Sequence, residues 1–164
     1  MFDFKGMFKG LFGGGSDSND VEDQLDAHSR FSYVSNFTSM MENTNLNAFS
    51  DAYKIKDYES AYEQIEDSVE EFNEVIRDLK EEEPDEDLGN DMSLVKAALK
   101  YFETVKGMIP DLKKVVDAAK AGDQATADKL LDEWNAKEAE LTDEWNKVLD
   151  EFIEKHNVPW ESPM

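Results

Sequence analysis

The sequence predicts an all-α protein. It is expected to be an elongated, antiparallel up-down-up-down bundle of four long helices, the third kinked at Pro110, preceded by an amphipathic peptide on a glycine-rich tether. Three observations carry this. Apolar residues Ile55, Tyr58, Tyr62, Ile65, Val69, Phe72, Ile76 and Leu79 are spaced alternately by three and four. Val95, Ala98, Phe102, Val105, Ile109, Leu112, Val116 and Ala119 repeat the pattern. No segment sustains the alternation of β-branched residues that a strand requires.

Each element has its own signals. The first body helix is the least regular: Val21, Leu25 and His28 open a stripe, but Phe31, Val34, Phe37 and Met40 follow at steps of three, which drift around a 3.6-residue turn. The second helix follows the stripe from Ile55 and stops at Pro84, behind Glu81-Glu82-Glu83. The third spans about 91–121, since its apolar phase continues across Pro110; the rival reading is two helices, with Gly107 ending one and Pro110 opening the next. Gly122 suits a helix C-terminus and Asp123 an N-cap, so the fourth helix should run from Gln124 to about His156. Its stripe is Ala127, Leu130, Trp134, Leu141, Trp145, Val148 and Phe152. Within it Asp132-Glu133-Trp134-Asn135 recurs as Asp143-Glu144-Trp145-Asn146, and this eleven-residue period puts both tryptophans on one face.

The domain layout is a Phe-rich segment and tether over 1–16, an acidic bundle over 17–157 and a short tail over 158–164. Four of the ten phenylalanines fall in the first twelve residues, and Gly13-Gly14-Gly15-Ser16 follows. On a helical wheel Phe4, Met7, Phe8 and Leu11 share one arc, with Phe12 at its edge. Asp3, Lys5 and Lys9 interrupt the hydrophobics, so the segment is not expected to be a secretory signal. Two glycines in so short a helix leave it marginal alone in water. Burying its apolar face would stabilise it, against the bundle itself, a partner protein or a membrane surface.

Composition narrows the chemistry. With 164 residues, 17 Lys+Arg against 39 Asp+Glu and a net charge of −22, the chain repels phosphate, so direct nucleic-acid binding is not expected. There is no cysteine, which removes disulfides, thiolate metal sites and thiol nucleophiles. A di-iron bundle site needs paired Glu-x-x-His motifs, but Leu25 and Ile153 stand three residues before His28 and His156. His28, on an apolar stripe, reads as a core or boundary residue. No phosphate-binding glycine loop is present, and Asp17/Asn19 and Asp85/Asp87 lack the rest of a calcium loop. No catalytic residue, metal or cofactor is therefore expected. Trp134 and Trp145 read first as core and secondarily as contact residues for a partner.

The Phe-rich opening followed by glycines is similar to the openings of several membrane-remodelling helical proteins and some virion components, over residues 2–15 alone. The expected function is that of a non-enzymatic structural or adaptor protein. It would dock through residues 2–12 onto a shell, virion or complex, in the cytoplasm or inside that assembly. The alternatives are an acidic nucleic-acid mimic that occupies the groove of a nucleic-acid-binding enzyme, and a peripheral membrane protein. The heptad stripes alone leave open whether they pair within or between chains.

Overall fold

A computed structural model describes residues 19–160, with side chains from residue 28 onward. Among the described residues there is no strand. The described residues form six α-helices: α1 (Asn19–Asn43), α2 (Asn47–Lys54), α3 (Tyr58–Lys80), α4 (Ser93–Met108), α5 (Leu112–Lys120) and α6 (Gln124–Lys155). Single 3-10 turns occupy Glu86–Leu88 and Ile109–Asp111. No described helix is long and apolar enough to cross a membrane.

The Val95–Ala119 stripe is the spine of the core. All eight of its residues are buried, on both sides of Pro110. The backbone accommodates the proline locally. Pro110 has no N–H to give the Lys106 carbonyl; the Ile109 N–H takes that carbonyl instead. The Leu112 N–H then turns to Ile109 O, and the chain resumes as α5 with no residue between turn and helix. Gly107 lies inside α4 instead of ending it.

Around the spine pack α3, through Phe72 edge-on to Phe102 at 5.4 Å, and α6. The α6 pairings follow one order. His156 and Lys155 reach Asp91, Glu144 meets Lys100, Glu138 meets Tyr101, and Trp134 meets Met108. The stripe from Ile55 departs from expectation at its start. Ile55 is 75% exposed and ends α2. Lys56 takes a left-handed φ of 63°, and Asp57 caps α3 by accepting from the Ser60 N–H at 3.2 Å. The local Asp-x-x-Ser cap overrides the apolar phase. The buried face of α3 is accordingly Ala61, Ile65, Ser68, Phe72, Ile76 and Leu79. At the next reversal Gly122 has φ 85°, and Asp123 accepts from the Thr126 N–H at 3.1 Å, repeating the same cap.

In α1 the core residues are Tyr33, Val34, Phe37 and Met40, whereas Phe31 remains 37% exposed. Tyr33, absent from the sequence stripe, restores a four-three spacing through Phe37 to Met40. It stacks on Phe152 at 5.7 Å, while Phe37 lies 6.3 Å from Trp145. His28 is exposed, not a core residue.

Leu112 is 1% exposed, directly after the proline turn. Leu112→Asp leaves an unpaired carboxylate in an apolar interior, so a loss of more than about 4 kcal/mol is expected. Thermal unfolding followed by circular dichroism checks this; an unchanged melting temperature would remove the stripe from the core.

Candidate functional site

The sequence-predicted docking residues Phe4, Met7, Phe8, Leu11 and Phe12 lie outside the described residues. The secondary pair, Trp134 and Trp145, is described, and the fold separates their roles. Trp145 is buried at 4% exposure. Trp134 is half-buried, and its indole N–H donates to the Met108 carbonyl at 2.8 Å. The Leu112 N–H, the ordinary i+4 donor to that carbonyl, has turned to Ile109 O at the proline turn, and the indole N–H bonds the carbonyl there. The irregularity that Pro110 imposes on one helix is thus satisfied by a side chain from another.

Each tryptophan floors a shallow furrow along the seam of α4 and α5 with α6. The first, of about 180 Å³, is lined by Met108, Asp111, Leu130, Glu133, Trp134 and Lys137 among others. The second, of about 100 Å³, is lined by Ala97, Lys100, Leu141, Glu144, Trp145 and Val148 among others. The two linings are related by eleven residues on both sides of the seam. Leu130, Glu133, Trp134 and Lys137 advance to Leu141, Glu144, Trp145 and Val148. Met108 and Asp111 step back to Ala97 and Lys100. Eleven residues is close to three helical turns, so both floors keep one angular position, about 16 Å apart. The internal echo in α6 thus sets a leucine, a glutamate and a tryptophan beside each furrow. Lys100 bridges the second furrow to Glu144 at 2.6 Å. Between the furrows the Tyr101 hydroxyl donates to Glu138 at 2.8 Å, and the Thr142 hydroxyl donates to the same oxygen at 2.9 Å. Burial, with the bond to Glu138, pushes the Tyr101 phenol well above its ordinary range.

A polar cluster gathers where the start of α4 meets the end of α6. Asp91 accepts from the Ser93 N–H at 2.9 Å and from Lys155 Nζ at 3.2 Å, and pairs with His156 Nε2 at 2.7 Å. Burial alone would raise the Asp91 carboxyl, but the bonds from His156, Ser93 and Lys155 outweigh it and hold the group well below the usual carboxylate range. Burial, with Glu82, Asp85 and Asp91 nearby, pushes the Tyr33 phenol up. His156 lies against Phe152 at 4.4 Å, and beyond it Val158 is buried and Trp160 sits 5.4 Å from Phe31. The cluster fastens the start of α4 to the end of α6. No sequence spacing announced it, because its partners are sixty-five residues apart.

Asp85, half of a calcium-like pair in the sequence, instead accepts from the Asp87 N–H at 2.9 Å and caps the 3-10 turn that closes at Gly89. Among the described residues no group of three or more His, Asp or Glu could hold a metal ion. Comparison with models of known protein families, with curated proteins and with solved structures gives no match.

Trp134→Phe keeps the ring and removes the N–H, leaving Met108 O without its side-chain donor. The expected cost is about 1 kcal/mol, a fall in melting temperature of about 2–4 °C for a chain of this size. An unchanged melting temperature would show that water replaces the bond at no cost.

Asp91→Asn should destabilise the chain by about 1–2 kcal/mol near neutral pH. Because the folded-state carboxyl is depressed, its contribution is complete above its unfolded value near 3.8 and is lost as pH falls through the folded value. The stability gap between wild type and variant should therefore hold constant from about pH 7 to 5 and narrow below about 4. Urea titrations across that range measure it; a gap that widens in acid would refute the assignment.

Proposed function

We propose that this chain is a non-enzymatic structural or adaptor protein. Its body is an antiparallel up-down-up-down bundle, with α4 and α5 forming one bent rod around Pro110. It docks through the amphipathic segment at 2–12 onto a larger protein assembly, a shell, virion or complex, in the cytoplasm or inside that assembly. The order of the α4–α6 pairings supports the antiparallel arrangement, since residue numbers rise along α4 as they fall along α6.

One observation carries the docking reading. The body consumes its own apolar stripes: Val95 to Ala119 is wholly buried within the chain, and the exposed large hydrophobics among the described residues are Phe31 and Ile55. The face made by Phe4, Met7, Phe8 and Leu11 is the long apolar pattern left over in the sequence. An apolar face of that size gains free energy only when something covers it.

A second reading, the nucleic-acid mimic, draws support from α3. Glu59, Glu63, Glu66, Asp67, Glu70, Glu71 and Glu74 are all exposed, and no basic residue intervenes before Arg77. Successive carboxylates about 5–6 Å apart on one helix give a dense linear anionic array.

Affinity capture from native lysate separates the readings. Full-length chain should retain a partner that Phe8→Glu and a chain lacking 1–16 both lose, with helicity and melting temperature unchanged. Lys9→Glu should matter little for a protein groove but should weaken binding to an anionic membrane by about 1 kcal/mol. A partner kept by the shortened chain and released as salt rises past about 0.15 M would favour the mimic instead. A fall of several degrees in melting temperature for Phe8→Glu would place the segment in the bundle core and end the docking reading.

A further inference from the structure

We propose that the occupant of the paired Trp134 and Trp145 furrows is the 2–12 segment of a second copy of this chain, so that copies associate head to tail. The inference rests on the docking reading above and names the partner. Three observations favour this occupant.

The furrows offer apolar floors, Leu130 with Trp134 and Leu141 with Trp145, at two positions about 16 Å apart. Residues 2–12, wound as a helix, span about 15 Å and present Phe4, Met7, Phe8 and Leu11 on one side. One such helix laid along the seam reaches both floors.

The rim carboxylates suit the segment locally. Lys5 and Lys9 outweigh Asp3, so the segment is weakly basic within a chain of net charge −22. The furrow rims repeat a carboxylate, Glu133 and Glu144, at the eleven-residue interval. Lys114 and Lys137 at the first furrow and Lys100 at the second leave the seam near neutral, so apolar contact sets the affinity and must outweigh the repulsion between two bodies of net charge −22.

Reach decides between the same chain and another. Residue numbers rise along α1 as they fall along α6, since Phe31 meets Trp160, Tyr33 meets Phe152 and Phe37 meets Trp145. The start of α1 at Asn19 therefore lies about 27 Å along its axis from the level of Trp145, and Trp134 lies about 16 Å further. The seven steps from residue 12 to Asn19 stretch to about 25 Å at most. A helix at 2–12 on its own chain would need that tether almost fully extended to come alongside Trp145, with no length left to cross from α1 to the seam of α4 and α6. A second copy has no such restriction. The contact is heterologous: each chain offers a segment to one neighbour and a seam to the other.

Sedimentation velocity on the full-length chain tests this, with two variants. Phe8→Glu disables the segment. Ala97→Arg with Met108→Arg fills both furrows and repels Lys5 and Lys9. If circular dichroism shows that the arginine pair impairs folding, Glu133→Arg with Glu144→Arg on the exposed rims replaces it. Wild type should associate in a concentration-dependent manner, and each variant alone should lose the associated species. An equimolar mixture of the two variants should recover a dimer, because one retains a working seam and the other a working segment. Wild type that stays monomeric, or a mixture that recovers no dimer, overturns the proposal. If wild type is monomeric while Phe8→Glu still abolishes capture of another protein, the docking reading stands and the self-association fails. If Phe8→Glu affects neither, both fail.

Discussion

The rest of the fold depends on keeping one apolar stripe continuous through a proline. Eight residues from Val95 to Ala119 hold a single face, and Pro110 falls between the fifth and the sixth. Each of those side chains gains about 1–3 kcal/mol by burial, according to its size. A full break would misalign half of them, so the backbone confines the damage to one 3-10 turn. The Ile109 N–H is shared between Val105 O and Lys106 O, the Leu112 N–H turns to Ile109 O, and the phase survives. The residues on both sides of the turn are buried in the same core.

That local solution extends into neighbouring elements. The turn draws the Leu112 N–H away from the Met108 carbonyl, and Trp134 on α6 donates to that carbonyl. The bond fixes Trp134 at the edge of the core, half-exposed, where it floors a furrow. Its echo at Trp145 has no broken helix opposite it, sinks further in and meets Phe37 on α1. Two copies of one short sequence thus differ in burial because the partners facing them differ. What they share is angular position, which the eleven-residue period dictates.

Charge is distributed to suit this arrangement. The exposed face of α3 is almost purely acidic, whereas α4 and α5 carry Lys96, Lys100, Lys106, Lys113, Lys114 and Lys120. Where α4 meets α6 the lysines find carboxylates, as in Lys100 with Glu144. Such exposed pairs add little stability, but they make the seam locally neutral in a strongly anionic molecule. At the far end, Asp91 gathers donors from Ser93, Lys155 and His156, so the termini of α4 and α6 are fastened by one carboxylate.

Helix content, the continuous stripe across Pro110, the reversal at Gly122-Asp123 and the angular coincidence of the two tryptophans were legible in the sequence. All of them follow from periodicity or from residues within one or two turns of each other. The start of α3 was misread at Ile55, because an apolar phase cannot reveal that Asp57 and Ser60 form a competing cap. The choice of Tyr33 over Phe31 in α1 was also hidden, since both lie near one face and only the position of Phe152 selects between them. Above all, the Asp91–His156 fastening, the Trp134–Met108 bond and the pairing of two furrows across a seam join residues 65, 26 and more than a dozen positions apart. Such contacts depend on how helices are set against one another, a packing decision that no local pattern encodes, so only the tertiary structure could make them.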